Sequence, residues 1–206
     1  EIASCLVGSE MCIRDSMSVM EWLATALGIA CVALAARRSM WTFPAGVASV
    51  TLFGVVVYEA RLYSDAALQG FFAAANLYGW AQWKRARSTL GEVAVGTMSP
   101  LSRVRWAAVT IILGASWAMT MHRFTDASYP WWDAAIAAAS VAAQLLMAQR
   151  RIENWWLWIA VDLASIPLYL AKGLYLFAGL YLIYLALAVA GLISWLAVMR
   201  RTLRLA

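Results

Sequence analysis

Apolar residues along the chain come in runs of about 20, separated by short polar stretches that hold most of the basic side chains. A run of that length is what a helix needs to cross a hydrocarbon layer about 30 Å thick, at about 1.5 Å per residue. Seven such segments are predicted, over residues 17–36, 41–58, 66–83, 105–121, 131–147, 154–170 and 175–199. All but one of the connections are short. The exception is the polar linker 86–104, which contains Gly, Ser, Thr and Pro100.

Composition agrees with this pattern. The 206 residues are 64% hydrophobic and 13% charged, with a mean hydropathy of +0.72, and a soluble domain of this size needs more polar surface. The predicted fold class is therefore an all-α membrane protein with seven transmembrane helices, and the lipid bilayer is its first partner. The net charge of +5 does not point to nucleic acid, because the basic residues form clusters between apolar runs and no continuous stripe.

Residues 1–16 break the pattern. The string from Cys5 to Ser16 resembles translated adapter sequence and is too polar for the apolar core of a signal peptide. It is set apart as an N-terminal extension foreign to the native protein. Of the three cysteines only Cys31 then lies in a predicted span, as a small packing residue, so neither a disulfide framework nor a metal-type spacing exists.

The basic clusters fix an expected topology. Twelve Lys and Arg follow spans 1, 3, 5 and 7, among them Arg37, Arg38, Lys84, Arg85, Arg150, Arg151, Arg200 and Arg201. The other side has three: Arg61, Arg123 and Lys172. The positive-inside rule then places the N-terminus outside and the C-terminus in the cytoplasm.

The chain also repeats itself. Leu62-Tyr63 matches Leu174-Tyr175, Leu68 matches Leu180, Gly79 matches Gly191 and Trp83 matches Trp195, all at an offset of 112, and Glu21 falls opposite Asp133 at the same offset. Arg37-Arg38 matches Arg150-Arg151 at 113. Spans 1 to 3 thus recur as spans 5 to 7, and the intervening span 4 makes the copies parallel. The expected organisation is a first triple-helix repeat over 17–83, a cytoplasmic loop plus linker helix over 84–126, and a second repeat over 127–206. Repeats of this kind place a binding site between their halves near mid-membrane.

Candidate site residues follow from polar groups at that depth. Trp155, Trp158, Asp162 and Tyr169 are spaced by 3, 4 and 7 and share one helix face. A charged aspartate at the centre of a membrane helix costs about 3 kcal/mol, and such residues face a cavity or a partner. No Lys or Arg lies at comparable depth. A cationic ligand supplies the missing charge; the alternative is a protonated Asp162 that donates a hydrogen bond. Pro167 leaves the carbonyl of Leu163 without its helical donor. Trp155 and Trp158 can stack on a flat ligand or meet a cation, whereas Trp156 points elsewhere and fits an interfacial aromatic belt.

The third span adds Gln69 and Asn76, seven apart and hence aligned, which serve either as ligand contacts or as interhelical hydrogen bonds. The seventh adds Tyr181, the repeat counterpart of Gln69, and Tyr184. Glu21 and Asp133 sit near span ends and read as snorkelling or capping carboxylates. His122 is the only histidine, so no metal cluster or triad can be built from it, and neither metal nor cofactor is expected. No Gly-x-x-x-x-Gly-Lys-Ser/Thr loop is present. An integral-membrane enzyme would need a second catalytic group near Asp162, and none is found.

Taken together, Trp-x-x-Trp-x-x-x-Asp at 155–162, Leu68-Gln69, the run from Ala75 to Trp80 and Glu153-Asn154-Trp155 resemble the PnuC family of vitamin-precursor transporters. The resemblance spans 17 to about 201. It implies a SWEET-like 3+1+3 arrangement and facilitated diffusion of an unphosphorylated nucleoside, nicotinamide riboside, trapped by a separate cytoplasmic kinase. It also implies substrate contacts at Gln69, Asn76, Trp155, Trp158, Asp162 and Tyr181. Nicotinamide riboside members often carry Asn where this chain has Asp162, and other members move thiamine or riboflavin. The alternative substrate is thus thiamine or another vitamin precursor on the same fold. Assembly into a homo-oligomer is left open.

Overall fold

In a computed structural model of the chain, residues 19–59, 63–90, 94–124 and 129–205 are described. The expected extension 1–16 lies outside them. Seven helices make up nearly all of the rest: α1 Val19–Ala36, α2 Thr42–Glu59, α3 Tyr63–Leu90, α4 Pro100–Phe124, α5 Pro130–Ala148, α6 Glu153–Ala171 and α7 Tyr175–Leu205. The predicted spans coincide with them, but several helices run further. α3 continues through Lys84 to Leu90, because a helix does not stop where the apolar run stops and Lys, Arg and Ala favour its continuation. α4 starts early, at Pro100, whose missing N–H costs nothing in the first turn.

Among the described residues, α1, α2, α4, α5 and α7 are long and apolar enough to cross a membrane. The two that fall below that mark are α3, with Gln69, Asn76 and a basic tail, and α6, with Glu153, Asn154 and Asp162. Two of the helices that carry the candidate site thus fall below it, while the third, α7, is the most apolar of the spans.

Packing closes six helices into a ring. α1, α2 and α3 touch in order, as do α5, α6 and α7; α1 meets α7, α3 meets α5, and α4 lies outside against α5. Shifting residue numbers by 112 turns the α1–α7 contact into the α5–α3 contact, as a two-fold axis through the ring requires.

Individual bonds obey the same axis. The Trp83 indole N–H donates to the carbonyl of Met147 at 3.2 Å, and that of Trp195 donates to the carbonyl of Ala35 at 3.1 Å. Phe43 meets Trp83 edge-on at 5.0 Å, and its counterpart Trp155 meets Trp195 edge-on at 5.6 Å. Trp83 and Trp195 lie 6.0 Å apart, so both copies of the motif sit at one end of the molecule, and the repeats are parallel. Inverted repeats would have put them at opposite ends.

The turns after α1 and α5 are also copies. Arg38 and Arg150 both adopt left-handed backbone, with φ of 57° and 60°. In each turn the residue after the arginine donates its N–H back to the helix, Ser39 to Leu34 and Arg151 to Leu146, both at 2.9 Å. This corrects the sequence register: the arginine pairs align at 112, Arg38 with Arg150, and not at 113.

At the other end, Lys172 pairs with Asp133 at 2.8 Å, joining the end of α6 to the start of α5. Asp133 is therefore half of an ion pair between helices, where sequence suggested a snorkelling or capping role. Within α6 the proline leaves the helix continuous, and Trp132 of α5 donates its indole N–H to the Ala164 carbonyl at 3.0 Å.

The aromatic cluster depends on two glycines. A Cβ on Gly191 would run into the Trp155 ring, and one on Gly79 into the ring of Phe43. We expect Gly191→Ala and Gly79→Ala each to destabilise the protein by about 1–3 kcal/mol through overpacking. Trp83→Phe and Trp195→Phe should each cost about 1 kcal/mol through a lost hydrogen bond. Denaturation followed by tryptophan fluorescence in detergent checks both, and a clearly unequal loss within either pair would contradict the two-fold equivalence.

Candidate functional site

α6 presents Trp158, Asp162, Ser165 and Tyr169 at helical spacing toward the ring interior, where Asp162 and Ser165 are buried. No hydrogen bond or ion pair among the described residues reaches the Asp162 carboxylate, and the Ser165 hydroxyl is buried without a partner. Such groups are costly in a low-dielectric interior unless something satisfies them. Tyr181 and Tyr184 of α7 lie within electrostatic range of that carboxylate.

Those tyrosines belong to an aromatic ladder between α6 and α7. Tyr169 stacks on Phe177 at 5.6 Å and on Tyr181 at 5.1 Å, with the planes inclined by only 23° and 25°. Tyr181 then meets Tyr184 edge-on at 6.0 Å. Positions 177, 181 and 184 fall on one face of α7, as steps of 4 and 3 require.

The first half contributes a polar face. The Asn76 amide N–H donates to the Phe72 carbonyl one turn earlier at 2.8 Å, and its side-chain oxygen lies against Gly46. Cys31 and Thr42 border that contact, with the Thr42 hydroxyl donating to the Cys31 carbonyl at 2.8 Å. On α1, Gly28 has the Tyr184 hydroxyl and Ser49 as its neighbours, so Tyr184 spans from the second half to α1 and α2. Gln69 lies two turns earlier on α3, against Gly54 of α2.

The structure thus brings Asp162, Tyr181 and Tyr184 together, with Asn76 across the ring and Trp158 on the same helix as the aspartate. Trp155 departs from the expectation. It is fully buried in the aromatic cluster, wedged between Gly191 and Trp195 as the counterpart of Phe43, so in this conformation its ring packs against α7, with its indole N–H buried and unpartnered among the described residues. Trp156 is 59% exposed on the outside of the helix, as an interfacial residue should be. Gly28, Gly46, Ser49 and Ser165 were missed. Ser165, three residues beyond Asp162 on its face, was the most readable of these, whereas the glycines carry no chemistry of their own to mark them.

Pairing positions across the axis shows where the halves differ. Gly46 corresponds to Trp158, Val50 to Asp162, Gln69 to Tyr181, Phe72 to Tyr184, and Asn76 to Ala188. One half offers an amide above a glycine; the other offers a carboxylate and hydroxyls beside large rings. The duplicated frame thus presents unlike walls on its two sides. Among the described residues no group of three His, Cys, Asp or Glu is placed to hold a metal.

Comparison with known proteins is consistent with this architecture. The nicotinamide riboside transporter PnuC of Escherichia coli is 27% identical over 205 residues, covering 87% of this chain and 86% of that protein. The riboflavin/roseoflavin transporter RibM of Streptomyces davaonensis is 34% identical over 183 residues, with 86% and 84% covered. A crystal structure of the vitamin B3 transporter PnuC superposes with a TM-score of 0.74 at 24% identity, over 95% of this chain and 88% of that one, and so shares the fold. The profile of the nicotinamide mononucleotide transporter family matches residues 18–197, and this multi-pass membrane protein belongs to that family.

Proposed function

We propose that the chain carries nicotinamide riboside across a bacterial inner membrane by facilitated diffusion, with a separate cytoplasmic kinase making the movement one-way. The observation that carries this reading is Asp162: a buried carboxylate with no hydrogen bond or ion pair among the described residues, within electrostatic range of two tyrosine hydroxyls, in a ring that holds no Lys or Arg at that depth. A pyridinium supplies the complementary charge. Trp158 and the tyrosine ladder offer ring faces to the base, while Asn76 and Gln69 can serve a carboxamide or the ribose hydroxyls.

The same electrostatics select against a phosphorylated ligand. A phosphate monoester brings about −1.5 to −2 charges at neutral pH. Nothing at this depth neutralises them, and Asp162 repels them. The family takes its name from the mononucleotide, but this site fits the nucleoside. The arginine-rich ends of α1, α3, α5 and α7 face the cytoplasm in this reading, and the start of α1 faces outward.

A second substrate is favoured by one observation, the 34% identity to a riboflavin/roseoflavin transporter. The stacked Tyr169 and Tyr181 rings suit a flavin as a flat partner, but a neutral ring system leaves Asp162 without a counter-charge. Thiamine, whose thiazolium is cationic, satisfies the carboxylate as well as a pyridinium does.

Proteoliposome uptake of radiolabelled nicotinamide riboside, thiamine and riboflavin separates these readings. Nicotinamide riboside should equilibrate across the membrane without accumulating and without response to a protonophore. Uptake of only one of the other two would replace the substrate, and uptake of none would remove the transporter reading.

Substitutions refine the test. Asp162→Ala should reduce nicotinamide riboside uptake at least tenfold, in keeping with a charged contact worth about 1.5–3 kcal/mol. Asp162→Asn should retain part of it. Trp158→Ala should raise KM by about 2- to 30-fold, as expected for a ring–cation contact of about 0.5–2 kcal/mol. Trp155→Phe should lower stability while leaving KM unchanged; a KM effect as large as that of Trp158→Ala would return Trp155 to the ligand site.

A further inference from the structure

The arginine-rich ends of the two halves are copies in their turns but not in what covers them. In the second half, residues 94–99 of the linker lie across the turn before α6. Gly96 donates to the Arg150 carbonyl at 3.1 Å and accepts from the Ile152 N–H at 3.0 Å. Arg151 donates to the Thr97 carbonyl at 2.8 Å, and Glu153 accepts from the Met98 N–H at 2.8 Å and pairs with Arg103 at 2.9 Å. Beneath this strap Val95 packs on the aromatic core, together with Leu196 and Met199 of α7.

Among the described residues nothing covers the corresponding place in the first half. A groove of about 700 Å³ runs there between α3 and the α1–α2 turn, lined by Met40, Leu77, Trp80, Lys84, Arg87 and Ser88. Met40 is the counterpart of the buried Ile152, Lys84 of Leu196 and Arg87 of Met199. The second half therefore uses apolar residues to hold its own strap, and the first half has exchanged two of them for cations.

Spacing along α3 gives the groove a polarity. Leu77, Trp80, Lys84, Arg87 and Ser88 follow one face over about 16 Å, with apolar side chains first and basic ones last. Leu77 is 53% and Trp80 39% exposed, and Lys84, Arg87 and Ser88 are exposed beyond them at the end of the helix. An apolar floor that becomes cationic at the membrane boundary complements an amphiphile with an acyl chain and an anionic head, and basic pockets at this level recognise such headgroups.

We propose that this groove is a binding site for one anionic phospholipid, whose headgroup phosphate is held by Lys84, Arg87 and Ser88 and whose acyl chain lies along Leu77 and Trp80. The bound lipid completes on the first half the cover that the linker strap supplies on the second. Neither the site around Asp162 nor the transported substrate enters this assignment.

The test uses the full chain, purified in a neutral detergent and titrated with phosphatidylglycerol or phosphatidylcholine, with bound lipid counted by native mass spectrometry. The wild type should retain one phosphatidylglycerol and no phosphatidylcholine. Each lost cation weakens such binding by about fivefold, so K84Q/R87Q should weaken it by about 25-fold. Both side chains are exposed, and an unchanged thermal midpoint verifies that the variant is folded. Equal retention of the two lipids by the wild type, or equal phosphatidylglycerol affinity in the wild type and K84Q/R87Q, would overturn the proposal. So would a lipid-free dimer that K84Q/R87Q dissociates, because the groove would then be covered by a second copy of the chain.

Discussion

The fold turns on four aromatic rings packed on its two-fold axis. Phe43, Trp83, Trp155 and Trp195 come from α2, α3, α6 and α7, so each triple-helix half contributes two, and the contact between Trp83 and Trp195 joins the halves. Each of these two indoles also donates to a carbonyl on the opposite half, Met147 or Ala35. Without a hydrophobic driving force between helices in lipid, close packing and such hydrogen bonds are what hold a bundle together. Gly79 and Gly191 let the rings approach. The closed ring of six helices, and with it the polar interior above the cluster, follows from this contact.

Duplication supplies the scaffold, and departures from it supply the chemistry. The cluster and the turns at Arg38 and Arg150 preserve the symmetry almost bond for bond. Further along the same helices it is abandoned: Asp162 stands opposite Val50, Tyr184 opposite Phe72, and Trp158 opposite Gly46. The division follows physical need, because a joint between equal halves works best when symmetric, whereas a small asymmetric ligand is recognised only by unlike walls. The linker adds a second asymmetry by strapping only one half among the described residues.

Much of this was legible in the sequence because bilayer thickness constrains helix length so tightly. Seven apolar runs, basic clusters and a repeated Gly79-x-x-x-Trp83 motif are enough to specify the architecture. Asp162 was readable because a carboxylate in an apolar helix has few explanations, and Asn76 because an amide at that depth is nearly as conspicuous. Trp155 shows the limit of that reading: helical spacing puts it on the Asp162 face, but spacing does not report depth within the packing, and in the structure its ring lies between Gly191 and Trp195. Gly28 and Gly46 were invisible because their role is to be small beside Tyr184 and Asn76, and a helical glycine in an apolar run carries no mark of its neighbour. The end of α3 was set too early because hydropathy follows the membrane and not the helix.

The crossed indole bonds also bear on motion. At the arginine-rich end the halves are linked by identical bonds on either side of the axis, and a displacement that widens this end breaks both at once. Separation there is therefore not graded: the joint resembles a latch with two teeth that must lift together.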